Sequence, residues 1–168
     1  MTAQPIALKL GITANVLETF QSIYAGVIAG LTEADAQTVA PNYMKDLSLY
    51  RLGLLSSYEL RVPSGGEPLG RFENRIVQSM TEIFERCPDE NIVIVAHRSP
   101  ITAMLIDFAR QFYRYPKQFF GYIPLESGTF SVLRYSDSGG EILGINCRRW
   151  SDTNLKPLVT SGSDRSLG

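Results

Sequence analysis

Residues 91–105 read Asn91-Ile92-Val93-Ile94-Val95-Ala96-His97-Arg98-Ser99-Pro100-Ile101-Thr102-Ala103-Met104-Leu105. An unbroken β-branched run behind a turn is what a strand covered on both faces of a parallel sheet requires. Ile92–Ala96 is therefore predicted to be a central strand. Ser99 then reads as an N-cap and Pro100 as the first helical position. Ile101, Met104, Leu105, Phe108 and Phe112 supply the apolar stripe of that helix.

Upstream, Pro63-Ser64-Gly65-Gly66-Glu67-Pro68 forms a turn whose last two residues suit an N-cap and a helix start. From there Leu69, Phe72, Ile76, Met80, Ile83 and Phe84 recur at helical spacing up to Arg86. Arg71, Glu73, Arg75, Glu82 and Glu85 are assigned to the opposite, solvated face. A shorter helix is expected from Thr32, as N-cap to Glu33 and Asp35, to about Val39, with Pro41 ending it. Residues 3–10 read as a helix stopped by Gly11, Thr13–Leu17 as a brief strand, and 42–62 as irregular.

Downstream, residues 129–135 and 141–147 flank Ser136-Asp137-Ser138-Gly139-Gly140 and predict a hairpin, with Phe130, Val132, Ile142 and Ile145 alternating. The pair is expected to close one sheet edge. Residues 1–150 are read as one domain, and 151–168, rich in serine and glycine, as a flexible tail. Helix, strand, turn, helix and a terminal hairpin make an α/β chain.

The 168 residues carry 16 basic and 17 acidic side chains, so no broad positive field exists for nucleic acid or an anionic membrane. Cys87 and Cys147 stand far apart, with no second thiol or histidine at ligand spacing. No metal, cofactor or disulfide framework is expected. No stretch reaches the length of an apolar membrane span, and a cytoplasmic location is expected.

Chemistry is expected where the strand of residues 92–96 meets the next helix, because open parallel sheets bind ligands beyond the carboxyl ends of their strands. His97, the single histidine of the sequence, stands there with Arg98 and Ser99. A helix N-terminus favours an anion, an arginine pairs with two phosphate oxygens, and an imidazole titrates near neutrality. A histidine hydrogen-bonded to neighbouring backbone and a serine serving only as a cap are the plainer readings.

The runs PSGGEPLGRFENRIVQSMTEIF, NIVIVAHRSPITAMLI and IPLESGTFSVLRY, with IYAGVIAGLTEAD before them, resemble the histidine-phosphatase superfamily, the phosphoglycerate mutase-like proteins. The likeness extends over about residues 2–147. It implies a three-layer α/β/α fold with a mostly parallel sheet and an antiparallel hairpin at one edge. It also implies phosphomonoesterase or phosphomutase chemistry on a phosphorylated small molecule. By position, His97 matches the family's second histidine, which polarises the transferred phosphoryl group. Arg98, Ser99 and Glu67, the last matching the Gly-Gly-Glu glutamate, are then the phosphate-binding residues, and Arg75 falls on a structural arginine.

The chain departs from that pattern in several places. It has no Arg-His-Gly segment, so the resemblance implies that the first central strand and its nucleophilic histidine are missing. Ser22 stands where the family places an acid, Ala29 where glutamate or glutamine is common, and Arg98 where glycine is usual. Glu18 is four residues from the register that would let it replace the acid. Two expectations follow: an enzyme of impaired activity, or a non-catalytic phosphate-binding or protein-interaction module. A bare strand at residues 92–96 would also invite association, so a homodimer or a partner chain is expected to cover it.

Overall fold

The stripe from Leu69 to Phe84 forms a helix, α4 (Leu69–Arg86), and it carries the core. In a computed structural model that describes residues 2–113, 123–136 and 139–154, Phe72 and Ile76 of α4 are buried almost completely. They cluster with Phe20, Met80, Ala103 and Met104, the last two from α5 (Arg98–Phe112), and Ile23, Ile94 and Ile101 pack against the cluster. Burying each such side chain contributes about 1.5–3 kcal/mol relative to leaving it in water.

The chain divides into two compact units, Met1–Leu125 and Glu126–Gly168. The first holds α1 (Ala3–Leu10), α2 (Glu33–Val39), α3 (Pro41–Arg51), α4 and α5. Gly11 ends α1 in the left-handed conformation, φ 67°, which glycine adopts without steric cost. Thr32 caps α2 as its sequence implies: Oγ1 accepts from the amide of Asp35 at 3.2 Å and donates to its carboxylate at 2.7 Å.

Pro41 ends α2 but also opens α3, a helix inside the stretch read as irregular. A proline at the first helical position costs no hydrogen bond, because that amide has no intrahelical acceptor. The buried residues of α3 are Met44, Asp46 and Tyr50. An acid among them hides the apolar stripe from a reading of periodicity, and Arg61 neutralises it at 3.3 Å.

Residues 13–17 form no strand. Ile92–Ala96 runs without helix, turn or bend, yet it too has no ladder partner among the described residues. Ile94 packs on the core, whereas Val93 is 58% exposed. The β-branched run therefore has a strand's inward packing without a strand's hydrogen bonds.

The second unit contains the one sheet among the described residues, the antiparallel pair β1 (Phe130–Ser136) and β2 (Gly139–Cys147). Arg134 sits opposite Glu141 with a 3.2 Å ion pair, and the register shifts on either side of Val132. The most buried positions of β2 are Leu143 and Cys147 rather than Ile142 and Ile145, because these irregularities displace the simple alternation. Turn residues 137 and 138 lie outside the described residues. So does most of the segment read as a tail, residues 155–168; its start, Trp150–Asp152, is a single 3-10 turn. No helix among the described residues is long and apolar enough to cross a membrane.

Candidate functional site

Helix α5 begins two residues earlier than Ser99 implies. His97 is its N-cap, with extended backbone at φ −70° and ψ 170°, and its carbonyl accepts from Ile101 at 3.4 Å. Pro100 falls within the first turn, where its missing N–H costs little, and its ring is fully buried. The start of α5 is thus anchored by Pro100, while His97 and Arg98 are exposed and Ser99 is half-buried.

No side chain caps this end of α5, and no acid lies in its first turn. The amides of Arg98 and Ser99 meet no acceptor among the described residues. Three of the residues assigned from sequence, His97, Arg98 and Ser99, are therefore brought together at a helix terminus with a positive dipole end.

Glu67 is placed differently. It precedes α4, and its carboxylate takes both Nε and Nη2 of Arg75, at 2.8 and 3.0 Å. Among the described residues no hydrogen bond or ion pair joins it to His97. Arg75 also donates to the carbonyls of Thr19 and, at 3.0 Å, Gln21, and its guanidinium lies 4.8 Å from the centre of the Phe72 ring. The bond from Arg75 holds the Glu67 carboxyl below the usual carboxylate range, against an opposing effect of partial burial.

The Gly-Gly pair makes this arrangement physically possible. The amide of Val27 donates to the Ser64 carbonyl at 3.0 Å and that of Glu67 to the Tyr24 carbonyl at 2.8 Å, clasping two loops. A Cβ at Gly66 would stand 2.9 Å from the Pro63 carbonyl, and one at Gly26 would collide with backbone of Ser64 and Gly66. Ser22 and Ala29 are exposed on the clasped loop, and Glu18 opens a single 3-10 turn beside it.

A second polar centre escaped the sequence reading. Glu73, assigned to the solvated face of α4, is buried. It accepts from Tyr50 Oη at 2.9 Å and Ser57 Oγ at 2.6 Å, with Arg110 Nη1 at 3.7 Å. Burial first, then the Glu73 carboxylate, pushes the Tyr50 phenol well above its ordinary range. The one available signal was that Glu73 adjoins Phe72 at the edge of the apolar stripe, which does not separate a rim acid from a buried one.

Comparison with known proteins bears on the whole arrangement. The structure is similar to the alpha-ribazole phosphatase from Shigella flexneri, with a TM-score of 0.66, 14% sequence identity, and coverage of 88% of this chain and 67% of that one. At that identity the likeness establishes shared fold alone, an α/β phosphatase fold. No curated protein gives a match. The model of the histidine phosphatase superfamily (branch 1) matches residues 1–148, nearly the whole described chain. On that match the chain belongs to the histidine phosphatase superfamily.

Proposed function

We propose that this protein binds a phosphorylated small molecule at the amino end of α5, with His97 against the phosphate. The observation that carries the reading is that His97 is itself the exposed cap of a helix with no acid in its first turn. A phosphate there accepts from the amides of Arg98 and Ser99 and meets the positive end of the helix dipole. Arg98 adds a planar fork for two phosphate oxygens, Ser99 a hydroxyl, and His97 an imidazole N–H. Glu67 acts at one remove, as a positioning residue: it fixes Arg75 and thereby the 19–24 loop, whose Phe20 and Ile23 pack in the core beside Ile94 and Ile101.

The reaction class under this reading is phosphomonoester hydrolysis, or transfer as in a mutase, performed weakly. Of the groups that the family's chemistry uses, these 168 residues supply one imidazole, that of His97, and carry Ser22 at the position of the acid. A missing general acid alone costs about 10²- to 10⁴-fold. The alternative is a pseudoenzyme, a non-catalytic phosphate-binding or protein-interaction module; the same single histidine favours it, as does Arg98 in place of the family's glycine.

Residues 1–150 form the domain in this proposal, and its setting is the cytoplasm. Its finer architecture is the three-layer α/β/α arrangement with a mostly parallel sheet, in which Ile92–Ala96 delivers His97. The packing of Ile94 against the core of α4 and α5 supports that assignment.

The test is a thermal melt with inorganic phosphate beside release of phosphate from an aryl phosphomonoester. Phosphate is expected to raise Tm, and His97→Ala to abolish the rise. Slow turnover lost in His97→Ala places the protein among the enzymes, and binding without turnover among the non-catalytic modules. A Tm indifferent to phosphate in the parent chain overturns the reading altogether.

A further inference from the structure

Residues 55–62, between α3 and α4, are hydrogen-bonded to the rest of the described chain through side chains alone. Their one backbone-to-backbone hydrogen bond is internal, from the Glu59 amide to the Ser56 carbonyl at 3.2 Å. The Arg61 amide donates to a side chain, Asp46 Oδ2, at 3.4 Å. Only Ser57 and Leu60 are buried among them, at 5 and 6% exposure, whereas Tyr58 is 71% exposed. Sparse apolar burial and backbone groups open to water mark the parts of a fold that open most easily.

The fasteners that hold this stretch down are polar side-chain contacts. Ser57 Oγ donates to Glu73 Oε2 of α4 at 2.6 Å, and Tyr58 Oη to Oδ1 of Asn74, the next residue of α4, at 2.9 Å. Arg61 Nε closes the far end on Asp46 of α3 at 3.3 Å. The Tyr58 ring lies over Gly70, where an added Cβ would meet it at 2.6 Å. The apolar cluster of α4 and α5, with Phe72, Ile76, Met80, Ala103 and Met104, includes no residue of 55–62. Lifting the stretch therefore breaks polar contacts and bares Leu60 while that cluster stays packed.

We propose that residues 55–62 form a strap that opens as a unit, ahead of global unfolding, with the Ser57–Glu73 hydrogen bond as its clasp. A bond to a carboxylate is stronger than one between neutral groups, which makes Ser57 the main fastener on α4. When the strap lifts, Tyr50 Oη at 2.9 Å and Arg110 Nη1 at 3.7 Å remain on Glu73. The open state thus avoids the cost of a buried charge left without a partner. Opening changes the surface of α4 and leaves the start of α5, with His97, Arg98 and Ser99, as it is.

Limited trypsin digestion of the whole chain under native conditions, with the products weighed by mass spectrometry, tests this through initial rates. Cleavage after Arg61 reads strap opening, and cleavage after Arg75 reads disruption of α4. In the parent, cleavage after Arg61 should be the faster. Ile76→Val trims the core that the open state keeps. It should speed cleavage after Arg75 about two- to tenfold and leave that after Arg61 unchanged. Ser57→Ala should speed cleavage after Arg61 by about tenfold or more. An Arg61 rate that rises with Ile76→Val in step with the Arg75 rate overturns the proposal, because the stretch then opens only with the whole fold. So does an Arg61 rate indifferent to Ser57→Ala, or parent cleavage after Arg75 as fast as after Arg61.

Discussion

Arg75 grips Glu67 with two parallel hydrogen bonds, 2.8 and 3.0 Å, and uses its remaining donors on the backbone carbonyls of Thr19 and Gln21. One side chain thus ties the start of α4 to a loop 54 to 56 residues before Arg75 itself. Planar guanidinium geometry, and not charge alone, makes that tie.

Arg75→Ala should destabilise the fold by about 1–3 kcal/mol, the range for hydrogen bonds to charged groups. Arg75→Lys should recover only part of that, since an ammonium cannot present two parallel donors. Urea denaturation of the three proteins checks it; equal stability of Lys and Arg variants would sink the geometric account.

Acid should weaken the same tie. The folded pKa of Glu67 lies below its unfolded value, chiefly through the Arg75 bond. Its contribution is therefore complete above the unfolded value of about 4.3 and fades as pH falls through the lower folded one. Glu67→Gln should flatten stability against pH in that window. An unchanged acid limb in the variant would refute the assignment.

Removing the carboxylate of Glu73 strands Tyr50, Ser57 and Arg110 at once. Glu73→Ala should cost on the order of 3 kcal/mol, and Glu73→Gln, which keeps an acceptor, distinctly less. Chemical denaturation measures both. A mild alanine variant would mean that the cluster is not a fastening point between α3, α4 and α5.

Two glycines should respond very differently to alanine. At Gly26, φ is 58° and the new Cβ meets backbone, so the variant should lose at least about 1–2 kcal/mol from backbone conformation alone. At Gly70 the new Cβ would stand 2.6 Å from the ring of Tyr58, which is 71% exposed and can swing away. There the loss should be little beyond the 2.9 Å hydrogen bond from Tyr58 to Asn74. Comparable Tm losses for both variants would contradict the contrast.

What the sequence determined by itself was local. The stripe of α4, the threonine cap of α2, the glycine stop of α1 and the hairpin of β1 and β2 each depend on residues within a turn or two of one another. Capping, helical periodicity and turn composition express that short range directly. His97 at the start of α5 was legible for the same reason, although the helix begins at Arg98 rather than after Ser99. Tertiary structure alone decided that Glu73 is buried, that Glu67 belongs to Arg75, that α3 is a helix over Asp46, and that Ile92–Ala96 has no ladder partner. Most of those outcomes turn on partners fifteen to fifty residues away. A polar residue's partner and a strand's neighbour are set by which elements meet in space, and no periodicity along the chain encodes that.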